Sequence, residues 1–65
     1  MTYYFQTNEN GVSIDKSERV AMEFKNLNIA SEEARKIRDA NRCDVKISYT
    51  VGDEQHTIIF EDKKV

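Results

Sequence analysis

Residues 45–51 read Val-Lys-Ile-Ser-Tyr-Thr-Val, with an apolar or aromatic side chain at every second position. Period two is the mark of a strand with one buried face. Gly52-Asp53 interrupts the pattern, and Glu54-Gln55-His56-Thr57-Ile58-Ile59-Phe60 comes next. A two-residue loop that opens with glycine suits a type II′ turn, because glycine tolerates the positive φ needed at the first position. Such a loop fixes a register in which Val51 faces Glu54, Tyr49 faces His56, Ile47 faces Ile58 and Val45 faces Phe60. The inward sets of both strands then share one face, while Lys46, Ser48, Thr50, Gln55 and Thr57 share the other. A slip of one residue would mix the two sets. Ile59 alone breaks the separation, landing on the polar face beside Lys46, where the other end of the chain or a contact surface would cover it.

The segment before this hairpin predicts a helix from Ser31 to about Asn41. Ser31 is a suitable N-cap, since its hydroxyl can accept from a free backbone N–H of the first turn. Glu32 and Glu33 then stand at the end of the helix dipole that favours negative charge, with Arg38 and Arg42 towards the other end. At about 100° per residue, Ala30, Ala34, Ile37 and Asn41 share one face, with Ala40 on its shoulder. The stripe is narrow and built of small side chains, so it can lie close to a sheet while burying little area.

The N-terminal third is less determined. Asn10-Gly11 is a type I′ turn signal preceded by β-formers over 3–8, and pairing around it sets Thr7 opposite Ile14 and Glu9 opposite Val12. Tyr3 and Phe5 then point inward, and Tyr4 shares the opposite face with Gln6 and Asn8. Val12, Ile14, Val20, Met22 and Phe24 have one parity, but Lys16 and Glu18 share it, so a bend is expected near Asp15-Lys16-Ser17. Residues 17–27 fit either of two patterns. Ser17 can cap a helix with Val20, Ala21, Phe24 and Leu27 as its stripe. Alternatively, Val20, Met22 and Phe24 alternate with Arg19, Glu23 and Lys25 as a strand. The strand is preferred because Asn26-Leu27-Asn28 then makes a strand-to-helix connection. The fold class that results is α+β. An antiparallel sheet, made of N-terminal strands and the hairpin 45–60, is covered on one face by a helix over about 31–41.

Sixty-five residues leave room for one small domain spanning 1–65, and no linker, repeat or low-complexity stretch divides it. A chain of this size buries only about 60% of the surface it exposes when unfolded, so its core is thin. No apolar run exceeds Ile58-Ile59-Phe60, far short of the ~20 residues of a membrane span. The N-terminal Met-Thr-Tyr-Tyr-Phe-Gln lacks the basic start and apolar stretch of a signal peptide. A lone Cys43 can form no internal disulfide, which makes a reducing cytoplasm the natural setting.

Charge is unevenly spread. Between 35 and 46 stand five basic residues, Arg35, Lys36, Arg38, Arg42 and Lys46, against Asp39 and Asp44, a local balance of +3 on a chain of net charge -2. Arg35, Arg38 and Arg42 fall within about 60° of one another on a helical wheel. They form either a solvated flank whose stems shield a thin core, or an anion-binding stripe to which Lys46 adds.

Catalytic constellations are not expected. His56, the sole histidine, faces Tyr49 and reads as a half-buried packing residue, since a general base needs both a reacting group and an orienting partner. Cys43 lies between Arg42 and Asp44 and beyond Phe60 in the hairpin register, away from His56. Asp53-Glu54 and Glu61-Asp62 read as solvated charge rather than as metal-binding loops. The expectation is therefore a non-catalytic protein-binding module without a cofactor or metal, a regulator or inhibitor acting by surface contact. Its sheet must have edges, and edges pair with other chains. The same reasoning points to a homodimer beside an unknown protein partner. The alternative is a nucleic-acid-binding protein using Arg35, Arg38, Arg42 and Lys46, which the acidic charge elsewhere disfavours.

Overall fold

The computed structural model describes residues 1–63. Strands β1 (Thr2–Thr7), β2 (Val20–Glu23), β3 (Val45–Val51) and β4 (Glu54–Phe60) form a sheet of order β2-β1-β3-β4, antiparallel throughout. The helix α1 (Leu27–Asn41) connects β2 to β3 and packs on β3 and β4. The architecture is thus the α+β layer that the hydrophobic pattern predicts.

The hairpin forms in the expected register, with Val51 opposite Glu54, Tyr49 opposite His56, Ile47 opposite Ile58 and Val45 opposite Phe60. Gly52 has φ +61°, and Asp53 does not have positive φ, as a type II′ turn requires. Val45 and Ile47 are wholly buried, and with Tyr3, Phe5, Ala30, Ala34 and Cys43 they make the core. Met22, Phe24, Leu27, Ile37, Tyr49 and Phe60 pack around it. Phe24 lies against both Tyr3 and Phe5, with ring centroids 6.2 Å and 5.9 Å apart. Residues 20–23 are strand, and their alternation rather than the helical stripe describes them.

Three expectations are corrected. The helix starts at Leu27, a full turn before Ser31, because Asn26 caps it: extended at φ -155°, its Oδ1 accepts from the Ile29 amide at 3.0 Å. The earlier start puts Leu27 on the core stripe with Ala30, Ala34 and Ile37, while Ala40 and Asn41 fall outside it and are exposed. The Asn10-Gly11 hairpin does not form. The Gly11 amide donates to the Asn8 carbonyl at 3.1 Å, but only Gly11 has positive φ, whereas a type I′ turn needs it at both central positions. β1 pairs instead with β2, Phe5 opposite Val20 and Tyr3 opposite Met22. Between them the chain takes one 3₁₀ turn at Ile14–Lys16, where the bend is expected, and Ser17 closes it by donating its hydroxyl to the Ile14 carbonyl.

This connection lies against the sheet face opposite the helix. Gln6, only 5% exposed, donates its amide to the Ser17 carbonyl at 3.1 Å, and the Lys46 ammonium meets Asp15 at 2.7 Å. Asp44 ties the strand ends together at the same end of the sheet. Its backbone N–H donates to the Asn8 side chain at 2.8 Å, and its carboxylate accepts from the Asn8 amide and from the Asp62 N–H at 3.0 and 2.7 Å.

Candidate functional site

The four basic candidates do not form one surface. Arg35 is exposed on α1. Arg38 is 8% exposed, and its Nε donates to Asp39 at 2.9 Å. The helix therefore turns Arg38 inward beside Ala34, so its stem covers the edge of a thin core, as amphipathic side chains do. Arg42 is the C-cap, held in the left-handed region at φ +52°, with its N–H donating to the Arg38 carbonyl. Lys46 alternates with the buried Val45 and Ile47 and so lies on the other face of the sheet, paired with Asp15. Spacing on a wheel predicts shared azimuth correctly, but it does not register that the helix buries the middle of its own arginine stripe.

The candidate pair Tyr49 and His56 is brought together. Their rings stack across the hairpin at 5.2 Å with an interplanar angle of 21°, and His56 Nε2 lies 3.7 Å from Glu54. Cys43 is buried at the far end of the sheet, and burial first, then the carboxylates of Glu9, Asp44 and Asp62, push its thiol pKa up. A raised pKa keeps the thiol protonated, the reverse of what a nucleophile needs. No group of three or more metal-ligating side chains occurs among the described residues.

The least guarded surface is the outer edge of β4. From the hydrogen-bonded pair Val51–Glu54 that closes the loop, bonding alternates along an antiparallel ladder. The backbone groups of His56 and Ile58 therefore turn towards β3, and those of Gln55, Thr57 and Ile59 turn outward. Six consecutive residues, Gln55 to Phe60, carry no Lys, Arg, Asp, Glu or Pro, the residues that usually blunt an edge. Ile59 is 55% exposed beside this edge. The opposite edge, β2, has four residues and is flanked by Arg19, Lys25 and its own Glu23. Sequence reasoning requires that edges exist. Which strand is an edge is decided only by β1 inserting between β2 and β3, a long-range pairing that no local pattern carries.

No protein-family model matches the chain, and no curated protein or solved structure is significantly similar to it. No helix among the described residues is long and apolar enough to cross a membrane.

Proposed function

We propose that the chain is a non-catalytic protein-binding module, a regulator or inhibitor that acts by adding a strand of its partner to β4. The observation that supports this reading is the unprotected edge from Gln55 to Phe60, with its outward N–H and C=O groups and the exposed Ile59 beside them. Main-chain bonds give affinity in this mode, and alternate side chains give specificity. The partner is an extended protein segment with an apolar side chain over Ile59. A reducing cytoplasm, in which the buried Cys43 stays a free thiol, is the setting that fits.

A second copy of the chain is one such partner. Self-pairing about Thr57 sets Gln55 of one copy opposite Ile59 of the other and brings no two formal charges together within 55–60. Solution mass at high concentration tests this form, and a strict monomer at millimolar concentration would remove it.

The general reading is tested with extended peptides selected from a random library against the folded chain. Thr57→Pro removes an outward N–H without costing a ladder bond to β3, so the fold survives while strand addition is blocked. Selected peptides should lose at least about tenfold in affinity on Thr57→Pro. Peptides that bind the variant equally well place the binding surface elsewhere and contradict the proposal.

A further inference from the structure

The face of the sheet opposite the helix carries a feature that strand addition does not use. Its central row runs Ala21, Tyr4, Ser48 and Thr57, paired across all four strands. Ser48 is 2% exposed, and its Oγ has no hydrogen-bond partner. A buried hydroxyl left in that state costs about 1–3 kcal/mol, and native proteins leave few such groups. Ser48 belongs to the lining of a shallow depression of about 110 Å³ that Tyr4, Arg19, Tyr49, Thr50 and Gln55 complete.

Arg19 is poised over the same depression. Its guanidinium carbon lies 5.5 Å from the centroid of the Tyr4 ring, a cation–π contact that restrains the side chain. No carboxylate among the described residues forms a salt bridge with it. Of the acids on this side of the sheet, Glu23 is engaged by the N-terminal ammonium and the Thr2 hydroxyl, and Asp15 by Lys46. The depression thus joins one uncommitted cation to one buried, unsatisfied hydroxyl.

We infer that this depression is a carboxylate-binding site. Arg19 supplies the charge and a planar fork of donors that matches a carboxylate. Ser48 supplies a buried O–H donor, and the Gln55 amide and Thr50 hydroxyl supply the rim. Its size admits a carboxylate-sized group and is well below the ~300 Å³ at which pockets for drug-sized ligands begin. A single free cation, with Lys46 already neutralised by Asp15, suits a monoanion better than a dianionic phosphoryl group. The site does not depend on β4 as a docking edge, since acetate can occupy it whether or not a chain pairs with that strand.

The test is a chemical-shift titration of the ¹⁵N-labelled chain with sodium acetate, at ionic strength held constant with sodium chloride. The expected result is saturable shifts at Tyr4, Arg19, Ser48, Thr50 and Gln55, with half-saturation on the order of 10 mM for so small a ligand. Arg19→Gln should weaken binding about tenfold or more, and Ser48→Ala about threefold. Ser48→Ala should also raise the thermal midpoint in the absence of acetate, because the unpartnered hydroxyl is gone. Shifts that grow without saturating, or affinity unchanged by Arg19→Gln, would overturn the site. Unchanged affinity in Ser48→Ala would remove the hydroxyl from it and with it the basis of the inference. Tighter binding of inorganic phosphate at the same residues would overturn the carboxylate assignment.

Discussion

Two segments of this chain carry equally strong turn signals, yet only one of them makes a hairpin. Gly52-Asp53 joins two runs whose apolar positions fall on one face when the loop is closed, and β3 and β4 pair along their whole length. Asn10-Gly11 also turns the chain back, and the Asn8 carbonyl accepts the Gly11 amide. The residues beyond it are different. Lys16 and Glu18 would have to enter the core if the strand continued, so the chain leaves the sheet plane in a 3₁₀ turn and returns only at Val20. A turn closes a hairpin when the sequence beyond it can keep its register against the core. The dipeptide itself decides only where the chain bends.

The two segments differ most in the cost of removing an apolar side chain. Ile47 is wholly buried in β3, and Ile47→Ala should cost about 2–5 kcal/mol by loss of transfer energy and creation of a cavity. Val12, 44% exposed beyond the Asn10-Gly11 turn, should lose no more than about 0.5 kcal/mol on the same change. Urea denaturation of both variants measures the difference. Equal losses would show that residues 8–19 are packed as a second core.

The segments are nevertheless fastened to each other, by the Lys46–Asp15 ion pair and by a set of hydrogen bonds at Asp44. Asp44 accepts from Asn8 and from the Asp62 amide while its own N–H is taken by Asn8, so Asp44→Ala should destabilise the fold by about 2 kcal/mol and loosen both segments together. Amide exchange that rises at Asn8–Gly11 and at Asp62 in this variant would verify the link. A rise confined to either side would break it.

How much of the fold and site is legible in the residues depends on the range of the interactions. The hairpin is legible to its register because its partners are neighbours in sequence, and the stacked Tyr49–His56 pair comes with it. The helix is legible in its middle, where Ala30, Ala34 and Ile37 repeat with helical period. Its start is not, because Ser31 and Asn26 are both good caps and only the packing of Leu27 on the core selects the earlier one. The arginine stripe is legible as an azimuth, but the inward turn of Arg38 depends on how deeply the small-residue face of α1 sinks into the sheet. Arg19 is legible only as an outward position next to the strand 20–23. Its place over Tyr4 is set by the pairing of β2 with β1, fixed by contacts far apart in sequence.

Smaller effects refine the boundary between helix and hairpin. Arg42 ends α1 with φ +52°, a conformation that costs a residue with a Cβ about 1 kcal/mol relative to glycine. Arg42→Gly should therefore raise stability by up to that amount, read as a higher urea midpoint. A fall would assign Arg42 a contact that its side chain alone provides.

Acid sensitivity should be smaller still. The Thr2 hydroxyl first, and then the N-terminal ammonium, hold the Glu23 carboxyl below its ordinary range, and Arg38 does the same for Asp39. A depressed folded pKa contributes stability that is present above the unfolded value and lost as pH falls through the folded one. Both groups are exposed, so the loss should be slight and confined to pH below the ordinary carboxylate range. Side-chain NMR titration should place both midpoints lower in the folded chain than in urea. Midpoints at or above the unfolded values would contradict those pairings.

The proposed function rests on β4 as an open edge that a partner strand fills, and residue-resolved amide exchange along Glu54–Phe60 tests that most directly. In the free chain at low concentration, His56 and Ile58 should exchange slowly, while Gln55, Thr57 and Ile59 exchange fast. Adding a selected peptide should slow Gln55, Thr57 and Ile59 and leave the other two unchanged. Uniform protection of the free strand, or outward amides that stay fast in the complex, would contradict the claim.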